Sequence, residues 1–212
     1  MIFGGLRGRQ VLIPDRGRTM VWEQPGPAGA PTLLLLHGLG STALGNWATS
    51  LPSLGREFGV VAPDQRGHGG GIPLSGRLRI DELADDAAAL LDELGVRRAI
   101  AVGYSMGGFV AQRLWRRHAQ RVAGVVLCAT ADRLGGFLPV QQLNAAVVVT
   151  TRDRLIPPEV QRAMARRIAG ATVHEVDAGH LAPASAPGRF VPTLLTACRS
   201  VARRSLAGPA AA

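Results

Sequence analysis

The pentapeptide Gly103-Tyr104-Ser105-Met106-Gly107, with Gly108 behind it, constrains this chain more than any other feature. It stands between an apolar run at 99–103, which reads as a buried strand, and the helix-patterned segment Met106–Arg117. A serine at such a junction needs a very sharp turn if its hydroxyl is to project above a sheet. Side chains two residues to either side would then collide with the adjoining strand and helix, and glycine at 103 and 107 removes those collisions. The helix begins at the serine, so its dipole and free N–H groups face the hydroxyl. The plainer alternative is a glycine-rich turn in an ordinary α/β domain.

The rest of the chain repeats the same alternation of short apolar runs and helical patterns, which implies a doubly wound, mostly parallel sheet with helices on both faces. Residues 10–14 and 19–23 read as an opening hairpin. Thr32–Leu36, 59–62, Val122–Cys128, Ala145–Thr150 and Thr172–Val176 read as further strands. Helical spacing marks 80–94, closed by Gly95, and also 158–168 and 189–203. No internal repeat or linker divides residues 1–212, so a single domain is expected, with the tail 208–212 frayed.

Hydrophobic residues make up 47% of the chain, enough for a sizeable core. The net charge of +9 comes from 24 basic residues, all of them Arg, against 15 acidic ones. These arginines are scattered, and no nucleic-acid reader motif accompanies them, so no nucleic-acid partner is inferred. No apolar stretch is long enough to span a bilayer, and residues 1–10 lack the apolar run of a signal peptide; a cytoplasmic protein without a membrane partner is expected. Cys128 and Cys198 sit in apolar contexts and read as buried thiols.

A serine hydroxyl attacks well only when a base takes its proton. Five histidines compete: His37, His68, His118, His174 and His180. His118 falls at a helix end and His174 inside a strand. His180 follows the last strand, and loops after parallel strands gather at the edge where Ser105 lies. His180 is therefore the base. The imidazole needs a carboxylate to fix its tautomer. Asp153, just after the strand Ala145–Thr150, ranks first; Asp132, after the preceding strand, ranks second; Asp177 shapes the loop of His180. The oxyanion of an acyl-transfer reaction needs two N–H donors. Met106 and Leu39 are the choices, with His37 bracing the Leu39 loop. Trp47, Phe137, Leu155 and Leu181 are apolar candidates for contact with substrate.

HGLGS (37–41), DQRGHG (64–69), GYSMGG (103–108), TRDRLIPP (151–158) and DAGHLA (177–182) occur in this order. In these pieces the chain resembles the α/β-hydrolase superfamily, in its esterase and lipase-like branch, from Gln10 to about Ala202. The resemblance implies an eight-stranded α/β-hydrolase sheet and the catalytic order Ser105, Asp153, His180. It implies oxyanion N–H groups at Leu39 and Met106, and no metal or organic cofactor. Dehalogenase and epoxide-hydrolase branches carry Asp at the nucleophile position, which Ser105 argues against. Two departures stand out. Members often have Gly where Thr150 stands. Relatives also insert a helical cap between Cys128 and Val147, whereas only 129–146 remains here, with room for a short helix at 138–144. The expectation is a capless serine esterase that takes a small-molecule ester; the alternatives are a lactonase, perhydrolase or carbon–carbon bond hydrolase on the same three residues, or a non-catalytic hydrolase-like scaffold. The exposed apolar rim would favour homodimerisation.

Overall fold

In a computed structural model, residues 2–3, 5–132 and 143–206 are described. The strands are β1 (Ile2–Phe3), β2 (Leu6–Ile13), β3 (Gly17–Gln24), β4 (Thr32–Leu36), β5 (Gly59–Pro63), β6 (Ala99–Tyr104), β7 (Val122–Cys128), β8 (Ala145–Thr150) and β9 (Thr172–Val176). They form one sheet in the order β1-β2-β3-β5-β4-β6-β7-β8-β9. The eight strands from β2 to β9 are the expected ones, and the two-residue β1 extends the antiparallel edge. From β5 through β4 to β9 every pairing is parallel.

The helices are α1 (Ala43–Trp47), α2 (Leu51–Leu54), α3 (Ile80–Glu93), α4 (Met106–Arg117), α5 (Pro158–Arg167), α6 (Ala182–Ser185) and α7 (Pro187–Leu206). The period of β4 shows how they divide. Leu34 and Leu36 pack with Leu83 and Leu90 of α3, Val110 and Leu114 of α4 and Met164 of α5. Leu33 and Leu35 point the other way, to a core that holds Trp47 of α1, Leu54 of α2 and Phe190, Leu194 and Cys198 of α7. Successive side chains of a strand alternate between faces, so an all-leucine run feeds two cores at once. Both cysteines are buried and unpaired, and burial pushes the Cys128 and Cys198 thiols up.

The chain leaves β4 toward β5 on one side, and leaves β6 toward β7 on the other. The crevice above the β4 and β6 ends is therefore the switch point of the sheet, where open α/β sheets receive ligands. Among the described residues no cap domain covers it; of the short helix expected at 138–144, residues 138–142 lie outside the described set, and Leu143 and Asn144 are not helical. Among the described residues no helix is long and apolar enough to cross a membrane.

Candidate active site

Ser105 joins β6 to α4 with φ +50° and ψ −113°. A non-glycine residue held there stores about 1–3 kcal/mol of strain, so its surroundings must enforce it. They do so with three hydrogen bonds. The Ser105 N–H donates to Cys128 O at 2.9 Å, and Ser105 O accepts the Gly108 N–H at 2.9 Å and the Thr130 hydroxyl at 2.9 Å. A Cβ on Gly103 would overlap the Gly107 carbonyl, and one on Gly107 would overlap the Leu36 carbonyl of β4. The glycines thus let strand, turn and helix close on one another, and the serine side chain is left half-buried at the crevice.

His180 follows β9 and reaches back over the sheet. Its Nε2 lies 3.0 Å from Ser105 Oγ, and its Nδ1 lies 2.7 Å from Asp153 Oδ2. An ionised carboxylate only accepts, so Nδ1 carries the proton and Nε2 is the bare nitrogen toward the serine hydroxyl. The Tyr104 hydroxyl donates to His180 O at 2.7 Å and anchors the loop from below.

Asp153, beyond the end of β8, has a fully buried carboxylate. Oδ1 accepts the Leu155 and Ile156 N–H groups, each at 2.9 Å; Oδ2 accepts the Thr150 hydroxyl at 2.7 Å besides the imidazole. Burial alone would raise its proton affinity. Hydrogen bonds from Ile156 N–H, His180 and Thr150 outweigh that and hold the carboxyl below the usual carboxylate range. The other acids are engaged elsewhere. Asp132 Oδ2 lies 2.9 Å from an Arg167 guanidinium nitrogen, an ion pair without hydrogen-bond alignment. Asp177 pairs with Arg152 at the surface, with Arg189 beside it.

His37 is fully buried. Its Nδ1 donates to Gly38 O at 2.8 Å and its Nε2 accepts the Gln65 N–H at 2.9 Å. Desolvation pushes the imidazole down to about 4 against the Gly38 hydrogen bond, so it stays neutral and braces the loop. Asp64 completes the brace by accepting the Ala43 N–H at the start of α1, at 2.7 Å. Asn46 Oδ1 accepts the Gly38 N–H at 3.0 Å. Among the described residues the backbone N–H groups of Leu39 and Met106 have no acceptor. A Cβ on Gly38 would lie 3.5 Å from Ser105 Cβ, so this loop runs directly beside the serine.

A pocket of about 100 Å³ opens at Ser105 and His180, with Leu39, Asn46, Tyr104, Leu181 and Pro183 among its walls. Leu181 and Leu39 are each 70% exposed on its rim. Trp47 is not part of it, which corrects the sequence expectation. The short helix α1 turns the indole down into the core, where its ring meets Tyr104 at 6.2 Å. Leu155 is exposed but off the pocket wall, and Phe137 lies outside the described residues. Sequence reasoning missed Tyr104, Asn46, Thr150 and Gln161. For Gln161 a signal existed: it occupies one position of the stripe 161, 164, 165 and 168, whose other members are apolar.

A hydroxyl, an imidazole and a buried carboxylate thus stand in one hydrogen-bonded row at the switch point of a doubly wound sheet, with the hydroxyl on a strand-to-helix elbow. The chain belongs to the alpha/beta hydrolase fold family, whose profile matches residues 31–147. It is 38% identical over 162 residues to the dihydrolipoyllysine-residue acetyltransferase component of the acetoin cleaving system of Pseudomonas putida, a match that covers 74% of this chain and 43% of that protein. It is 36% identical over 110 residues to 3-oxoadipate enol-lactonase 2 of Acinetobacter baylyi, covering 52% of this chain and 41% of that one. The chain thus spans less than half the length of these curated relatives. Among solved structures, a thermophilic esterase from Thermogutta terrifontis superposes with a TM-score of 0.78 at 25% identity, covering 92% of this chain and 99% of that one. The enol-lactonase of Burkholderia xenovorans superposes with a TM-score of 0.78 at 23% identity, covering 90% of this chain and all of that one, a likeness of fold.

Proposed function

We propose that this hydrolase cleaves carboxylic esters through an acyl-enzyme, with Ser105 as nucleophile, His180 as general base and Asp153 as the acid that orients it. The observation that carries the proposal is the unbroken row from Ser105 Oγ to His180 Nε2 at 3.0 Å and from His180 Nδ1 to Asp153 Oδ2 at 2.7 Å. Ser105 attacks the acyl carbon as its proton passes to His180 Nε2. The imidazolium is stabilised by Asp153 and then protonates the leaving alcohol; a water, deprotonated by the same nitrogen, releases the acid. The Leu39 and Met106 N–H groups, free of protein acceptors among the described residues, bind the oxyanion. Leu181 and Leu39 flank the acyl group. No step calls for a metal or organic cofactor.

A second reading, lactone hydrolysis, has a specific observation in its favour: enol-lactonases occur both among the sequence relatives and among the structural neighbours. It uses the same residues, the leaving alcohol staying attached to the acyl product. The test is labelling with a fluorophosphonate followed by peptide mapping, then turnover of p-nitrophenyl esters beside small lactones. A phosphonyl adduct on Ser105 with ester turnover is the expected result. A chain that takes no label and turns over neither substrate class would overturn the proposal.

A further inference from the structure

Thr150 ends β8 three residues before Asp153, and the structure gives its hydroxyl a task. Gln161, on the first turn of α5, is fully buried against the end of β8. Its Oε1 accepts the Thr150 N–H at 3.1 Å, and its Nε2 donates to Ile156 O at 2.7 Å and to Thr150 Oγ1 at 2.9 Å. The amide has one workable orientation. Rotated by half a turn, it would set its oxygen against the Ile156 carbonyl and its NH₂ against the Thr150 N–H. Because Thr150 Oγ1 accepts from Gln161, its own proton is aimed away from the glutamine. It points to Asp153 Oδ2 at 2.7 Å, the same oxygen that takes the His180 Nδ1 proton. Gln161 Nε2 also lies 3.3 Å from that oxygen.

We propose that Thr150 and Gln161 form a relay of two positioning residues that locks the Asp153 carboxylate toward His180 and shares its negative charge. The inference rests on Asp153 and His180 acting as the acid–base pair of the proposed hydrolase. A glycine at 150 would leave Oδ2 to the imidazole and the distant amide alone. Here the threonine hydroxyl competes for the same oxygen, so the carboxylate is held more rigidly but stabilises an imidazolium less. Among the described residues, Tyr104 faces the pair with its ring 6.0 Å from the imidazole, and Arg152 is bound to Asp177.

The variants are Thr150→Val, which keeps the branched shape and loses the hydroxyl, Thr150→Ser, which keeps the hydroxyl, and Gln161→Met, which releases the hydroxyl from its fixed direction. Each is read in two ways: the pH dependence of kcat and KM on a p-nitrophenyl ester, and the NMR titration of the His180 ring without substrate. Thr150→Val should move the acid limb upward by on the order of half a pH unit, because the carboxylate regains charge for the imidazolium. It should lower kcat about tenfold through lost alignment, with KM unchanged. Thr150→Ser should restore both, and Gln161→Met should fall between. An acid limb and ring titration that stay at wild-type values in a folded Thr150→Val protein would overturn the proposal, as would Thr150→Ser behaving like Thr150→Val. If Thr150→Val fails to fold, Gln161→Met and Thr150→Ser decide by the same two readings. Should the wild type prove inert to esters and fluorophosphonate, the hydrolase assignment falls by itself, and the ring titration still decides whether Thr150 tunes the pair.

Discussion

Replacing Asp153 by Asn changes one atom, and the site dictates which way that amide faces. With its NH₂ in place of Oδ1, it would confront the Leu155 and Ile156 N–H groups, both of which now donate to that oxygen at 2.9 Å. Two part-buried donors left unsatisfied cost up to about 1–3 kcal/mol each. With its NH₂ in place of Oδ2, it confronts the imidazole and the Thr150 hydroxyl, and both can answer. The hydroxyl oxygen can accept, and His180 can shift its proton from Nδ1 to Nε2. The second orientation wins and turns the Nε2 proton toward Ser105, so no lone pair is left to receive the serine proton. The expected loss is about 10⁴-fold in kcat, as in a comparable serine triad. That is close to 5.4 kcal/mol of barrier, at about 1.36 kcal/mol per decade. Asp132→Asn is the control. Its partner is Arg167, so it should lose stability but keep kcat within about threefold. Steady-state ester kinetics, with near-ultraviolet circular dichroism to verify folding, measures both. An Asp153→Asn enzyme within tenfold of wild type, or an Asp132→Asn enzyme that is the crippled one, would refute the reasoning.

Ser105→Ala should cost roughly 10⁴-fold or more in kcat while the fold stays intact; near-normal turnover in the folded variant would dismiss Ser105 as nucleophile. The Asp153 carboxyl is held below its ordinary value, chiefly by hydrogen bonds that outweigh its burial. Its contribution to stability is therefore present above the unfolded value of about 3.9 and is lost as pH falls through the lower folded value. Urea unfolding midpoints should drop more steeply below about pH 4 in wild type than in Asp153→Asn, and parallel curves would contradict this. The pocket at Ser105 has an open rim, on which Leu181 and Leu39 are each 70% exposed. An added CH₂ then contributes at most about 0.8 kcal/mol, so kcat/KM should change no more than about fourfold per carbon along a p-nitrophenyl ester series. A hundredfold preference for one acyl length would mean that the pocket is closed in a way the described residues do not show.

Where the sequence carried a long period, the fold was legible in it. Met106–Arg117, Val122–Cys128, Ala145–Thr150 and Thr172–Val176 begin and end where the apolar patterning puts them. Topology narrowed the site: parallel strands deliver their following loops to one edge, which puts Ser105 and His180 there with Asp153 and Asp132 as rival acids. What escaped were features with no period. The helices α1 and α6 span five and four residues, about one turn each, too short for a moment to emerge. Missing α1 put Trp47 on the wrong side of its own backbone. Missing α6 hid Pro183, which closes the pocket wall. The polar contacts behind the site escaped for another reason. Thr150 and Gln161 lie eleven residues apart on different elements, and only the packing of α5 onto β8 brings the amide to the hydroxyl. A buried glutamine in an otherwise apolar stripe is costly unless every donor and acceptor is met, and here all of them are. Ser105 and His180 could therefore be read from strand order, with Asp153 ranked over Asp132, while the residues that hold them at 2.7 Å and 3.0 Å could be read only from the packed side chains.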